Sequence, residues 1–302
     1  MAPVGQGRRV ILKCPRNCGG EIPRGKITCV LCGAVAFGPP KTTIGVRPDD
    51  GIKRLSELQT MKLERIVTGF ADRNFGPAGN EGVAVSAVTM LGGMPGAGKS
   101  TLILQILSNI AKATGRPALL VGAEESGEQV KDRALRLEID NLADILILPL
   151  EEQVAGHKLT RETFERWNPS ALAIDSLQKC SDSDDDAVKL CEDLKEISVI
   201  KRCPVFVVSQ VNKEDEFAGS NKAQHAVDAL VIFSLADELM TADGRILMPP
   251  PDPEQPDKIE PFRALRTSKN RFGDSYESYF TMHRTGLRPF VIPTPEQKRR
   301  KK

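Results

Sequence analysis

The chain has 302 residues, 40% hydrophobic and 27% charged, with a net charge of +2. That length and apolar content suit one main core plus a small satellite, and the composition argues against wholesale disorder. No apolar run approaches the roughly 20 residues needed to cross a bilayer. The N-terminus, MAPVGQGRRV, has no signal-type apolar segment, so a cytoplasmic protein without a membrane partner is expected.

In chain order, the first feature is a set of four cysteines in CPRNC and CVLC: Cys14, Cys18, Cys29 and Cys32, with ten residues between the pairs. Two closely spaced thiolate pairs can close a tetrahedron around Zn²⁺, and Gly19, Gly20 and Gly33 allow tight turns beside it. Disulfides are the alternative, disfavoured by a reducing compartment. Four thiolates leave no open position for water, so the expected module, residues 10–38, is structural. Cys180, Cys191 and Cys203 follow no ligand spacing and read as small, buried or half-buried residues. His157, His225 and His283 do not cluster, which argues against a histidine metal site.

Residues 39–60 carry proline, glycine and charge without a period and read as a linker. Residues 61–293 then alternate. Strands are expected at Val85–Leu91, Ala118–Ala123, Asp144–Pro149, Ala171–Asp175, Val205–Ser209 and Ala229–Leu235, with helices at 100–114, 126–138, 160–167 and 185–200. Such alternation predicts an α/β fold whose mostly parallel sheet carries helices on both faces. Residues 245–248 and 262–268 read as a strand pair joined by PPPDPEQPDKIEP, and 276–290 as a closing hairpin. Trp167 is expected against the sheet. A tail at 294–302 ends in five basic residues, Lys298–Lys302, leaving a body close to neutral; a solvated end and a nucleic-acid contact are both open.

The sharpest signal is LGGMPGAGKS at 91–100. It fits G-x-x-x-x-G-K-[ST] through Gly93, Gly98, Lys99 and Ser100, with a strand before it and a helix after it. Loop residues Gly93, Pro95, Gly96 and Gly98, with Thr101 at the start of the helix, would wrap the phosphates of ATP in backbone N–H groups at a helix N-terminus. Lys99 would reach the outer phosphates and Ser100 would ligate Mg²⁺. Asp175, ending the apolar strand ALAID, is placed to hold that Mg²⁺ through water, or else to cap the following turn. Glu124 and Glu125 follow the second strand. A carboxylate there suits a base for the attacking water, whereas Ser126, Glu125 and Glu128 also suit a helix start.

GGMPGAGKSTLILQ, VGAEESGEQVKDRALRL, AIDSLQ, VNKEDEFAG and SKNRFG, in that order behind a four-cysteine module, resemble the bacterial RadA (Sms) family of RecA-like DNA-repair ATPases. The resemblance spans roughly residues 10–293, and KNRFG is its most specific element. It implies a RecA-like P-loop ATPase core, with Glu124 as catalytic base and Gln210 as γ-phosphate sensor, although the family more often shows Gly-His there. It also implies that Lys213 faces DNA, and that Lys269 and Arg271 reach a neighbouring subunit's nucleotide. A homo-oligomer follows, expected to be a hexameric ring that acts on single-stranded or branched DNA, with a RecA recombinase as a possible partner. From the residues alone, Lys269 and Arg271 read as a solvated turn. Family members usually continue into a Lon-protease-like domain, which the sequence to Lys302 does not contain.

Against DNA binding, SDSDDD (181–186) and NKEDEF (212–217) place carboxylates in loops that the resemblance turns toward DNA. Asp184–Asp186 also suit the N-terminus of the helix that follows. With Lys213 the only base in these loops and Phe217 a lone stacking candidate, weak and salt-dependent DNA affinity is expected, part of it supplied by the tail. Two functions emerge. One is an ATP-driven repair and recombination protein that hydrolyses ATP between ring subunits and assists branch migration. The other is a RecA-superfamily ATP-switched clamp or signalling protein that binds a protein partner and does not respond to DNA.

Overall fold

The computed structural model describes residues 12–13, 21–22, 56 and 63–293, except 123, 156–158, 182 and 212–220. The chain divides into two compact units, Met1–Met61 and Lys62–Lys302. In the first unit, β1 (Leu12–Lys13) and β2 (Glu21–Ile22) pair antiparallel. Cys14, Cys18, Cys29 and Cys32 lie outside the described residues, as do Lys213, Phe217 and the tail Lys298–Lys302.

In the second unit, β3 (Arg65–Ile66) pairs with β4 (Val83–Ala84) around α1 (Asp72–Phe75). There follow β5 (Val88–Gly93), α2 (Lys99–Thr114), β6 (Ala118–Gly122), α3 (Gly127–Arg136), β7 (Ile145–Leu148), α4 (Leu150–Val154) and α5 (Arg161–Trp167). Next come β8 (Leu172–Asp175), α6 (Leu177–Cys180), α7 (Asp184–Lys201), β9 (Val205–Gln210), α8 (Asn221–Ala226) and β10 (Ala229–Ala236). The chain closes with β11 (Leu239–Met240), β12 (Ile246–Leu247), β13 (Phe262–Asn270), β14 (Glu277–His283) and β15 (Gly286–Phe290).

The nine-stranded sheet runs β15-β14-β13-β10-β5-β9-β8-β6-β7. The strands from β10 to β7 are mutually parallel, and β13, β14 and β15 extend the sheet antiparallel. Apart from the half-buried edge strand β7, both faces of the parallel part are buried, which is why those strands read as continuous apolar runs. Leu102, Leu107 and Ile110 of α2 pack on one face with Leu91 and Phe206, while Leu194 of α7 and Phe164 of α5 cover the other with Val88 and Met90. Helix starts follow local chemistry. Ser126 and Gln129 form a reciprocal capping box on α3, and the Ser183 hydroxyl accepts from the Asp186 N–H at the acidic first turn of α7. Among the described residues, no helix is long and apolar enough to cross a membrane.

Three expectations are corrected. The strand expected from Val85 starts at Val88, because Val83–Ala84 belongs to the separate ladder with β3. The segments 245–248 and 262–268 do not pair with each other: β12 pairs with β11, and β13 lies between β10 and β14. Phe262, Ala264 and Leu265 are buried on β13, and only a central place in the sheet supplies neighbours for them. Trp167 is not packed on the sheet but 47% exposed, with the Arg166 guanidinium 5.6 Å from its ring centre; Phe164, one turn earlier, takes the buried position. The hairpin expected at 276–290 is present as β14 and β15.

Candidate functional site: a phosphate loop at the sheet edge

β5 delivers the glycine-rich loop to the C-terminal edge of the parallel strands, and α2 then crosses β9 and β8 to reach β6, so the loop sits at a switch in strand order. Gly93 is required because a Cβ there would run into the Phe233 carbonyl oxygen of β10. Gly98, the N-cap of α2, has φ 102°, a left-handed backbone that disfavours side chains. Met94, Pro95 and Gly96 are exposed, whereas Ala97 beneath them is fully buried. The loop thus presents exposed backbone over a packed floor.

Around it the structure gathers several of the sequence candidates. The Lys99 ammonium donates to the carbonyl oxygens of Gly93 and Met94, at 2.6 and 3.0 Å, and so spans the mouth of the loop. Burial pushes the Lys99 pKa down, opposed by the nearby Asp175 and Glu124 carboxylates. β8 brings Asp175 to the same edge, where it lines one small pocket with Ser100 and Glu124. Burial holds the Asp175 pKa above its ordinary value; the Ser100 hydroxyl nearby opposes this, the charges of Glu124 and Glu125 add to it, and Lys99 opposes it. Asp175 and Glu124 therefore stand beside one lysine, Glu125 being neutralised by Arg133, and a divalent cation would relieve the unbalanced charge.

Glu124 and Glu125 separate clearly. Glu124 accepts from the Ser176 hydroxyl at 2.7 Å, two residues beyond Gly122, which pairs with Asp175. Glu125 is taken by a bidentate ion pair with Arg133 of α3, one element away from the loop. Gln210 ends β9 opposite Gly93 and is exposed, so it too stands at the loop. Thr101 is buried in the first turn of α2.

Lys269 and Arg271 lie elsewhere. Through Ala229, Asn270 is level with Thr89, four residues before Gly93 and about 13 Å along the strand. Lys269 donates to the carbonyls of Gln224 and Val227 at 2.8 Å, where α8 ends, and its pKa is lowered by burial and by Arg271. Arg271 reaches Asp228 at 3.4 Å and the His225 carbonyl. Neither is brought to the phosphate loop of its own chain.

Sequence reasoning missed several groups that shape this architecture. Asp228 is 1% exposed and is bonded by the Lys195 ammonium and the Val88 N–H. Buried Asn74 donates to the Leu265 and Tyr276 carbonyls, tying α1 to β13. Arg65 donates to the carbonyls of Phe75, Gly82 and Phe272. Their partners are remote in sequence, so spacing carried no sign of them; a charged residue at an otherwise apolar strand start was the only visible signal for Asp228.

As to a metal, among the described residues no group of three or more His, Cys, Asp or Glu is arranged to hold an ion. Ser100 with Asp175 fits Mg²⁺ of the kind held by one or two protein oxygens plus substrate phosphates.

Comparison with known proteins agrees with this geometry. Residues 81–216 match the family model of an AAA domain. The chain is 27% identical to the DNA repair protein RadA of Bacillus subtilis (strain 168) over 305 residues, covering 92% of this chain and 59% of that protein. It is 28% identical to RadA of Aquifex aeolicus (strain VF5), covering 93% of this chain and 59% of that one. The chain thus spans less than two thirds of the length of these relatives. Among solved structures, a KaiC-like protein from Pyrococcus horikoshii OT3 superposes with a TM-score of 0.54 at 14% identity, over 76% of this chain and all of that one. The fold is the RecA-like α/β fold with a mostly parallel sheet.

Proposed function

We propose, starting from its 27–28% identity to bacterial RadA proteins, that this chain is a DNA repair and recombination ATPase that hydrolyses Mg·ATP at the Gly93–Thr101 loop. One observation carries the reading: Lys99, Ser100, Asp175 and Glu124, from three separate elements, meet at one edge of the sheet. Loop N–H groups and Lys99 bind the phosphates, and Ser100 and Asp175 orient the cation. The cation supplies charge neutralisation at the phosphoryl oxygens. Glu124, held by the Ser176 hydroxyl, orients and deprotonates the attacking water, while Glu125 is occupied by Arg133.

Lys269 and Arg271 act on the nucleotide of an adjoining protomer in a ring, a role supported by their distance from their own loop. Single-stranded or branched DNA is the substrate, with Lys213 and the Lys298–Lys302 tail as contacts and a hexamer as the assembly. Cys14, Cys18, Cys29 and Cys32 hold a structural Zn²⁺, to be checked by metal analysis of the purified chain: one zinc per chain is expected, and a metal-free chain contradicts it.

The test of the whole reading is ATP turnover with and without single-stranded DNA. Turnover should rise with DNA, fall in Arg271→Ala, and be partly restored when that variant is mixed with Glu124→Gln subunits. A second reading, an ATP-switched protein-binding clamp, is favoured by the three exposed aspartates that open α7, Asp184–Asp186. Turnover indifferent to DNA would select it.

A further inference from the structure

Arg263 is an arginine inside a sheet. It sits on β13, between strands, with 4% of its surface exposed. A buried guanidinium is costly unless its donors are met. Its Nε donates to the Ala97 carbonyl oxygen at 3.0 Å, one Nη to the Pro261 carbonyl, and the other Nη to Glu260 Oε2 at 3.1 Å. The Glu260 carboxyl is held below its ordinary range by Lys258 first and by Arg263. Two of these contacts are local to the strand's entrance. The Ala97 contact is not: it crosses from residue 263 to the floor of the phosphate loop.

Ala97 is the fully buried residue just before Gly98, and the peptide joining them is trans. In a trans peptide the carbonyl and the following N–H point in opposite directions. Fixing the Ala97 oxygen toward β13 therefore turns the Gly98 N–H away from the packed strand, toward the open side of the loop. Gly98 has the left-handed backbone and no side chain to hold this plane by itself, and a Cβ there would meet the Met282 methyl at 2.8 Å and the Phe233 ring at 3.6 Å. Without a partner for the Ala97 oxygen, that peptide could rotate and remove one donor from the cradle.

We propose that Arg263 is a positioning residue for nucleotide binding, which sets the Ala97–Gly98 peptide so that the Gly98 N–H faces the phosphates. This deepens the ATPase reading and rests on it. No other described side chain donates to that carbonyl, and the antiparallel extension of the sheet thereby acquires a role at the loop it flanks.

Side-chain geometry supplies the test. In Arg263→Gln the amide nitrogen falls where Nε was, keeping the Ala97 bond while losing the contacts to Pro261 and Glu260. In Arg263→Met a methyl takes that place, and all donors are lost. The KM for Mg·ATP should rise about tenfold in Arg263→Met and stay within about twofold of the unaltered chain in Arg263→Gln, with kcat changing less than KM in both. Should Arg263→Met fail to fold, Arg263→Lys replaces it. It keeps the charge near Glu260 but carries a methylene at the Nε position, and it too should raise KM. Equal KM values in the donor-retaining and donor-lacking variants, whatever their melting temperatures, overturn the proposal. Failure of the unaltered chain to bind Mg·ATP overturns instead the ATPase reading beneath it.

Discussion

The two edges of the parallel sheet hold charge in opposite ways. At the C-terminal edge, Asp175, Glu124 and Glu125 crowd around Lys99 and Arg133, and Lys99 spends its hydrogen bonds on loop carbonyls rather than on a carboxylate. At the N-terminal edge, Asp228 is almost inaccessible yet fully engaged, by the Lys195 ammonium, the Val88 N–H and the Arg271 guanidinium. β5 touches both clusters: the N–H of Val88 at its start bonds Asp228, and Gly93 at its end opens the phosphate loop. A buried charge with its partners built in holds the fold together, whereas crowded carboxylates around an open loop call for a ligand.

Substitutions can break this contrast. Glu124→Gln has the largest expected effect: a loss of ATP turnover of about 10²–10⁴-fold with nucleotide still bound, measured by steady-state hydrolysis beside equilibrium binding. Turnover comparable to the unaltered chain would remove Glu124 from the role of base. At the other edge, Asp228→Ala should cost about 3–5 kcal/mol of stability, because it strands Lys195 and frees the Val88 N–H. Denaturant unfolding reads this, and a loss under about 1 kcal/mol would mean the hub is not structural.

Smaller effects sharpen the contrast within one edge. Glu125→Gln breaks the half-buried pair with Arg133 and should lower stability by about 1–2 kcal/mol while leaving turnover within about threefold of normal. A collapse of turnover there would exchange the roles of the two glutamates. Arg271→Ala, whose side chain is 53% exposed, should change stability by less than about 1 kcal/mol. Its turnover should fall regardless, and a parallel loss of stability and activity would make it a structural residue of the Asp228 hub alone.

The loop was legible because its chemistry is local: glycines, lysine and serine at fixed spacing, between a strand and a helix that their own periodicity announces. Asp175 and the Glu124–Glu125 pair were legible by position, at strand ends, but not by partner. Only the fold shows that Arg133, two turns along α3, claims Glu125 and leaves Glu124 to Ser176. The strand pairing of β13 was misread for the same reason. Its alternation signals a strand, while the choice of β10 over β12 depends on which neighbours can bury Phe262 and Leu265. Arg263 was invisible, since an arginine in a strand reads as solvent-facing until the sheet closes around it.

The central claim is that Mg·ATP seats on the loop that opens α2, with Lys99 on its phosphates. Retention of labelled ATP by the purified chain, with magnesium or with chelator, tests it most directly. The account predicts retention by the unaltered chain that depends on magnesium and is lost in Lys99→Ala. Retention that is the same in Lys99→Ala, or absent from the unaltered chain with magnesium present, would contradict it.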